Sequence, residues 1–220
     1  MIIAIDGPAG SGKSSTAREV ARRLGVVHLD TGAMYRAITL KCLREGIAHT
    51  DNTRLADLVG RTELRFTGSP PDTRIWMDGE DVSAEIRGDR VTSTVSDYCA
   101  PAVVRAAMVD QQRSIGRQAA CVCEGRDIGT VVFPEADLKI FMVASVEQRA
   151  LRRQRDFEKA GVTKTVAELV AEIGERDRKD STRALAPLTK AADAEQLDTT
   201  DLGFEQQVEY IVSRAKQIRH

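Results

Sequence analysis

The sequence predicts an α/β protein. It should have a mostly parallel five-stranded sheet with helices on both faces, a small antiparallel sheet in an inserted subdomain, and a helical lid. Three observations point there. Short apolar runs alternate with helical stretches along most of the 220 residues, the pattern of parallel strands joined by crossover helices. Between Glu63 and Val82 the pattern changes to period-two alternation around Asp78-Gly79, a two-residue hairpin signal. From Val146 onward a long, strongly charged helical stretch takes over.

Ile2 to Ile5 is apolar and stops at Asp6-Gly7-Pro8, which reads as a buried strand. Ala17, Val20, Ala21 and Leu24 share one face of a helix from Lys13 to Leu24, which Gly25 ends. Val26 to Leu29 is a second strand, Asp30-Thr31-Gly32 breaks it, and a helix is expected from Ala33 to Arg44. Asp51-Asn52-Thr53 offers caps for another helix to about Gly60. Leu64, Phe66, Ile75, Met77 and Val82 supply the alternating positions of the antiparallel sheet. Helices are expected over Gly88 to Tyr98 and from Pro101, suited to a first turn, to Gln118. Ala120 to Glu124 and Leu138 to Val143 read as core strands. Helix Val146 to Lys159 ends at Gly161, and Thr165 with Glu168 forms a capping box for the next. Gln196 to Thr199 is the last strand. Phe204, Val208, Ile211, Val212, Ala215 and Ile218 form the apolar face of a closing helix.

Composition narrows the class. Hydrophobic residues make up 42% and charged residues 30%, as in a globular domain with a real core. With 32 basic and 33 acidic residues the net charge is −1; this argues against a nucleic-acid coat or a membrane-surface protein. No apolar run reaches the ~20 residues of a membrane span, and the N-terminus lacks a basic leader, so a cytoplasmic protein is expected. Cys42, Cys99, Cys121 and Cys123 lack zinc spacing and His28, His49 and His220 are scattered, which points to reduced structural thiols.

Gly7-Pro8-Ala9-Gly10-Ser11-Gly12-Lys13-Ser14, followed by Ser15, fits G-x-x-x-x-G-K-[ST] after a strand and before a helix. Glycines let the loop fold so that its N–H groups face phosphate oxygens, and the helix end adds a positive dipole. Lys13 is expected on the β- and γ-phosphates and Ser14 on Mg²⁺. The loop thus implies ATP as co-substrate with Mg²⁺, on a P-loop NTPase-type fold. The guanine-reading N-K-x-D motif is absent, because the sole asparagine, Asn52, precedes Thr53.

Transfer between two phosphates needs positioning and charge neutralisation rather than a protein base. Arg149, Arg152 and Arg153 stand at i, i+3 and i+4; Arg176, Asp180 and Arg183 stand at i, i+4 and i+7, each set on one helix face. Gly125-Arg126-Asp127-Ile128-Gly129 directly follows a core strand, where ligands of parallel sheets bind. The bland alternative for the helical sets is a solvated face with local partners such as Glu147, Asp156, Glu172 and Glu175.

With those motifs, the chain resembles bacterial cytidylate kinases, in the nucleoside monophosphate kinase group. The resemblance runs from Ile2 to about Thr200. It is carried by the phosphate loop, then Leu29-Asp30-Thr31-Gly32-Ala33-Met34-Tyr35-Arg36 and Glu124-Gly125-Arg126-Asp127-Ile128-Gly129-Thr130. Glu175-Arg176-Asp177, Pro187-Leu188, Ala192-Asp193-Ala194 and Leu197-Asp198-Thr199-Thr200 complete it. The resemblance implies that Arg36, Arg126 and Arg176 hold the CMP phosphate. Ser96, Arg105 and Asp127 would read cytosine, and Asp180 and Arg183 would serve the sugar. Thr31, Tyr35 and Gly125 would line the acceptor site, and Arg149, Arg152 and Arg153 would belong to a lid over ATP. Lys13, Arg126, Arg149, Arg153 and Arg176 would neutralise charge during transfer. Ser96 could instead bond its own helix backbone.

These readings give a core of residues 1–30, 98–148 and 184–220, a monophosphate-binding subdomain of 31–97 and a lid of 149–183. The expected reaction is transfer from MgATP to CMP and dCMP by a monomer with no nucleic-acid or membrane partner. Kinases for UMP, dTMP or AMP, a small-metabolite kinase and a non-catalytic nucleotide sensor stay open as alternatives.

Overall fold

The computed structural model describes residues 1–159 and 161–218; His220 lies outside them. The elements in order are β1 (Ile2–Asp6), α1 (Lys13–Leu24), β2 (Val27–Asp30), α2 (Thr31–Arg44), α3 (Asn52–Gly60), β3 (Leu64–Thr67), β4 (Arg74–Met77), β5 (Glu80–Asp81), α4 (Asp89–Tyr98), α5 (Ala102–Gln118), β6 (Cys121–Gly125), β7 (Leu138–Val143), α6 (Val146–Lys159), α7 (Val166–Thr182), β8 (Glu195–Asp198) and α8 (Phe204–Ile218).

Five strands form one parallel sheet in the order β2-β6-β1-β7-β8. Pleating sorts the side chains of this two-faced sheet. Ile3, Ile5 and Val122 enter one apolar layer with Ala17 and Val20 of α1 and Val208, Ile211 and Val212 of α8. Ala4, Cys121 and Cys123 enter the opposite layer with Met34 and Ile38 of α2, Leu55 and Leu58 of α3, and Met108 of α5. The Cys121–Cys123 spacing is therefore a period of two on one buried strand face. Both thiols are free, and burial pushes the Cys121 thiol up to about 11.

β3, β4 and β5 form the separate antiparallel sheet. Asp78 and Gly79 both have positive φ, 51° and 86°, as a primed two-residue turn requires. Ile75 and Met77 pack with Val82 and Ile86 on Ala33, Ala37 and Leu40 of α2. α6 and α7 make a small cluster of their own around Ala150, Leu169 and Ile173. The Thr165 capping box is present. No helix among the described residues is long and apolar enough to cross a membrane.

Four local expectations are corrected. Asp30-Thr31-Gly32 starts α2 rather than preceding it, because Asp30 Oδ1 accepts the Ala33 N–H at 2.8 Å. Pro101 lies before the first turn of α5, not in it. Phe204 and Ile218 are 45% and 43% exposed, since they stand at the two ends of α8, beyond the residues from Val208 to Ala215 that enter the core. Residues after β6, read only as a loop, form a single wide helical turn: Val132 N–H reaches Asp127 O at 3.1 Å and Phe133 N–H reaches Ile128 O at 2.7 Å.

Ile140 of β7 is fully enclosed. Ile140→Ala should lower the unfolding free energy by about 2–5 kcal/mol, whereas Thr165→Ala, at an exposed cap, should cost about 1 kcal/mol. Urea midpoints of the two variants compare them directly.

Candidate active site

All functional loops leave the carboxyl ends of the parallel strands, where an open α/β sheet binds ligands. β1 ends at Asp6 and runs into the phosphate loop. A Cβ on Gly7 would lie 2.2 Å from the Met142 carbonyl oxygen of β7, so only glycine passes there. Gly10 and Gly12 have φ of 76° and 90°, a left-handed backbone that glycine adopts without strain. Side chains hold the loop carbonyls. Pro8 O accepts from Lys13 Nζ at 3.0 Å and Ala9 O from Arg149 Nη1 at 3.0 Å. Ser11 O accepts from Arg152 Nη1 at 3.3 Å and Thr199 Oγ1 at 3.1 Å. A glycine-rich loop fixed in this way before a helix is suited to an anion.

Two cavities meet over this loop. One, of about 540 Å³, is lined by Ala9, Gly10, Lys13 and Ser14 from the loop, and by Thr31, Tyr35 and Arg36 from α2. Ser96 of α4, Gly125, Arg126 and Asp127 after β6, Arg153 of α6, and Arg176, Asp180 and Arg183 around α7 complete its wall. The second, of about 530 Å³, runs from Gly10, Gly12, Lys13, Ser14 and Ser15 past Arg152 and Arg153 to Phe204 and Gln207. Gly10, Lys13, Ser14 and Arg153 belong to both.

The first cavity holds an unusual density of cations. Burial lowers the Lys13 pKa to about 7, and the Arg126 and Arg176 guanidinium groups push the same way. Burial followed by Arg126 lowers Arg176 to about 10. Among the described residues its Nε has no partner, and neither has Arg36 Nε, so donors are left for an incoming anion. Carboxylates hold the remainder. Arg126 Nε donates to Asp180 Oδ2 at 2.9 Å and Arg36 Nη2 to Asp30 Oδ2 at 3.2 Å. Although burial opposes it, Arg126 and Arg176 pull the Asp180 carboxyl below its usual range.

The far end of this cavity is built to read a polar ligand. Arg105 Nη2 donates to Asp127 Oδ2 and Arg183 Nη2 to Asp127 Oδ1 at 3.4 Å. Ser96 Oγ donates to Asp180 Oδ1 at 3.4 Å, not to its own helix. Tyr35 packs under Arg105, with the guanidinium carbon 5.7 Å from the ring centroid. The Tyr35 hydroxyl and Arg105 Nη1 are buried without partners.

Two predicted residues sit elsewhere than expected. Arg149 does not project into either cavity. It is buried, donating to Ala9 O and Ala144 O and, at 2.5 Å, to Asp177 Oδ2. It braces the outside of the phosphate loop, because the i, i+3, i+4 face of α6 is split between loop and cleft. Arg105 stands behind Asp127 rather than on the cavity wall. Gly7, Pro8 and Ser11 shape the loop from behind, and Thr31 Oγ1 pins β6 by donating to Glu124 O at 2.7 Å.

Sequence reasoning assigned no role to several residues. Asp6 accepts the Ile128 and Gly129 N–H groups at 2.8 Å each, fixing the turn after β6. Burial raises its pKa to about 6 against those two bonds. Glu124 takes the Ser14 hydroxyl at 2.5 Å and lies 3.2 Å from His28 Nε2. Arg87 lines the first cavity and Phe204 the second. A strand-terminal carboxylate was a usable signal for Asp6 and Glu124; Arg87 carried none.

Ser14 Oγ and Glu124 offer hard oxygen donors beside the loop. No group of three or more His, Cys, Asp or Glu among the described residues could hold a metal by itself.

A family model described as Cytidylate kinase matches residues 3–217. The chain is 49% identical over 220 residues to a bifunctional pantoate ligase/cytidylate kinase of Trichormus variabilis, covering 98% of this chain and 41% of that one. It is 44% identical over 215 residues to a cytidylate kinase of Shouchella clausii, covering 98% and 96%. The chain thus spans about two-fifths of the length of the bifunctional relatives. Among solved structures, an uncharacterized protein from Eubacterium ventriosum aligns with a TM-score of 0.53 at 11% identity, covering 99% and 98%. TT1252 from Thermus thermophilus aligns with a TM-score of 0.50 at 16% identity, covering 99% and 96%. These two share the fold.

Lys13 gives triphosphate binding a proton signature. Burial lowers its pKa to about 7; phosphate oxygens favour its charged form and would raise that value. Binding should take up close to one proton at about pH 8 and little at about pH 6. Calorimetry in buffers of different ionisation enthalpy reads this, and Lys13→Met should abolish it.

Proposed function

The chain belongs to the cytidylate kinase family, and from that premise we propose that it transfers the γ-phosphoryl group of MgATP to CMP, and to dCMP, giving ADP and CDP or dCDP. The observation that carries the reading is the meeting of two cavities at Lys13, Ser14 and Arg153, with Arg36, Arg126 and Arg176 clustered on one side only. A single triphosphate needs one such cleft; two phosphate-bearing ligands brought end to end need both.

The γ-phosphoryl passes to an acceptor phosphate oxygen that is already anionic, so the protein supplies position and positive charge. The phosphate loop and Lys13 hold the donor. Ser14 Oγ and Glu124 would hold Mg²⁺, which would supply positive charge beside the donor phosphates. Arg36, Arg126 and Arg176 take the acceptor phosphate, and Arg153, shared by both cavities, faces the transferred group. Arg149 contributes through the loop backbone it braces.

Base choice follows from donors and acceptors. Cytosine presents an N4 amine beside N3 and O2 acceptors. Asp127, on the cavity wall, accepts from the amine, and Arg105 acts from behind by holding that carboxylate. Uracil reverses that edge and would leave buried polar groups unpaired at about 1–3 kcal/mol each. Asp180, held by Arg126 and Ser96, suits a sugar hydroxyl.

Residues 31–97 and 149–183 are the moving parts of this reading. The separate apolar cluster between α6 and α7 supports it for residues 149–183, as does the Lys179 Nζ to Asp97 Oδ1 bridge at 2.8 Å between α7 and α4. Closure of the lid excludes water that would otherwise take the phosphoryl group. A cytoplasmic monomer without nucleic-acid or membrane partners belongs to the same proposal, supported by the net charge of −1.

The test is ADP release from MgATP with CMP, dCMP, UMP, AMP, GMP and dTMP as acceptors. CMP and dCMP should dominate. Preference for UMP would overturn the base assignment, and no turnover with any acceptor would leave a nucleotide sensor. Lys13→Ala should lower kcat/KM by on the order of 10³-fold or more with an unchanged circular-dichroism spectrum. Asp127→Asn should narrow the CMP-over-UMP ratio by about 10- to 100-fold.

A further inference from the structure

His28 is a buried histidine that the reaction described above does not use. It lies on β2, whose neighbour is β6, with His28 opposite Val122 and Asp30 opposite Glu124. Alternation along parallel strands turns His28, Asp30, Val122 and Glu124 to one face, the face that α1 covers. Leu29 and Cys123 turn to the other. Because α1 begins at Lys13, its first turn stands over the carboxyl end of β6. A diagonal contact from β2 to β6 therefore reaches the phosphate loop from behind.

The contacts form a chain. His28 Nε2 lies 3.2 Å from Glu124 Oε1, and Ser14 Oγ lies 2.5 Å from Glu124 Oε2. His28 and Glu124 are 4% and 2% exposed. An ionised carboxylate offers only acceptors, so His28 Nε2 carries the proton and donates it. Glu124 is the hydrogen-bond partner of the His28 ring among the described residues.

We infer that His28 is a positioning residue for the metal end of the donor site: it anchors Glu124 so that Glu124 takes the Ser14 hydroxyl proton. A serine hydroxyl has one proton and two lone pairs. Donating that proton to Glu124 leaves both lone pairs free for a cation, the orientation a metal-facing hydroxyl needs. The anchor is required because other cations compete for Glu124. Its charge acts on Lys13 and on Arg87. A carboxylate that swung toward Lys13 would occupy the ammonium needed by phosphate and release the Ser14 proton to point elsewhere. Outer partners that orient a ligand in this way carry a measurable share of metal affinity.

The inference rests on the kinase reading above, and one experiment separates the two. The dissociation constant of ATP is measured by calorimetry with and without Mg²⁺, beside the Mg²⁺ dependence of CMP-dependent turnover. His28→Leu should shrink the Mg²⁺-dependent gain in ATP affinity about 10-fold. It should also raise the Mg²⁺ needed for half-maximal rate by a similar factor, with KM for CMP unchanged. His28→Gln, whose amide N–H can reach Glu124, should restore both. A His28→Leu protein that loses thermal stability but keeps the wild-type Mg²⁺ gain would overturn the inference, as would an equal rise in KM for CMP. If the leucine protein does not fold, His28→Asn, too short to reach Glu124, carries the same comparison. Wild-type protein without CMP turnover would end the kinase reading, and the calorimetry would still decide His28.

Discussion

Mutual repulsion among cations in one cleft governs this structure. Burial does most to lower the proton affinity of Lys13 and of Arg176, Arg126 lowers both further, and Arg176 acts on Lys13 as well. Such a cluster is stable only if carboxylates divide the charge or a polyanion supplies the rest. Asp180, Asp30, Asp127 and Glu124 do the first. Each is placed by a strand end or a helix turn rather than by the cation it meets. The unpartnered nitrogens of Arg36 and Arg176 measure what is left over for a ligand.

The sheet explains how so much charge can be held. β1 is central and buried, with β6 and β7 on either side, and their carboxyl ends deliver Asp6, the phosphate loop, Glu124 and the Arg126–Asp127 pair to one edge. Asp6 illustrates the division of labour. It contacts no ligand cavity wall, yet its two backbone bonds fix the turn that aims Arg126 and Asp127. Arg149 acts similarly from the other side, spending its guanidinium on the loop carbonyls and Asp177. Two smaller apolar clusters lie apart from the layers on the sheet's two faces, under the inserted sheet and between α6 and α7.

The two ends of the molecule also differ in how they read a ligand. The acceptor end combines Asp127, Arg105 and Ser96, with directional donors and acceptors already arranged by ion pairs. The donor end combines loop N–H groups, Lys13, Ser14 and Glu124, which respond to charge and metal. Glu124 lines the first cavity and Ser14 both, so the Ser14–Glu124 contact lies where the two cavities meet. His28 ties that contact to β2, whose Asp30 caps the helix that carries Tyr35 and Arg36.

Local chemistry was readable from the chain alone. The phosphate loop, the Asp78-Gly79 hairpin, the Thr165 capping box and the strand alternation depend on neighbouring residues, and each is where its pattern implied. The cation clusters were legible as helical spacings, and their ordered set as a family resemblance. What tertiary structure decided was direction. Arg149 and Arg153 lie on one helical face by spacing, yet one meets loop carbonyls and the other the cleft, because α6 crosses the loop at that point. Phe204 fits an apolar face by period and is exposed, because nothing covers that end of α8. Glu124, His28 and Ser14 are 96 and 110 residues apart in their two contacts, and only strand pairing brings them together. Periodicity fixes which residues share a side of an element. Which neighbour that side meets depends on packing between segments distant in the chain, and that was settled only by the fold.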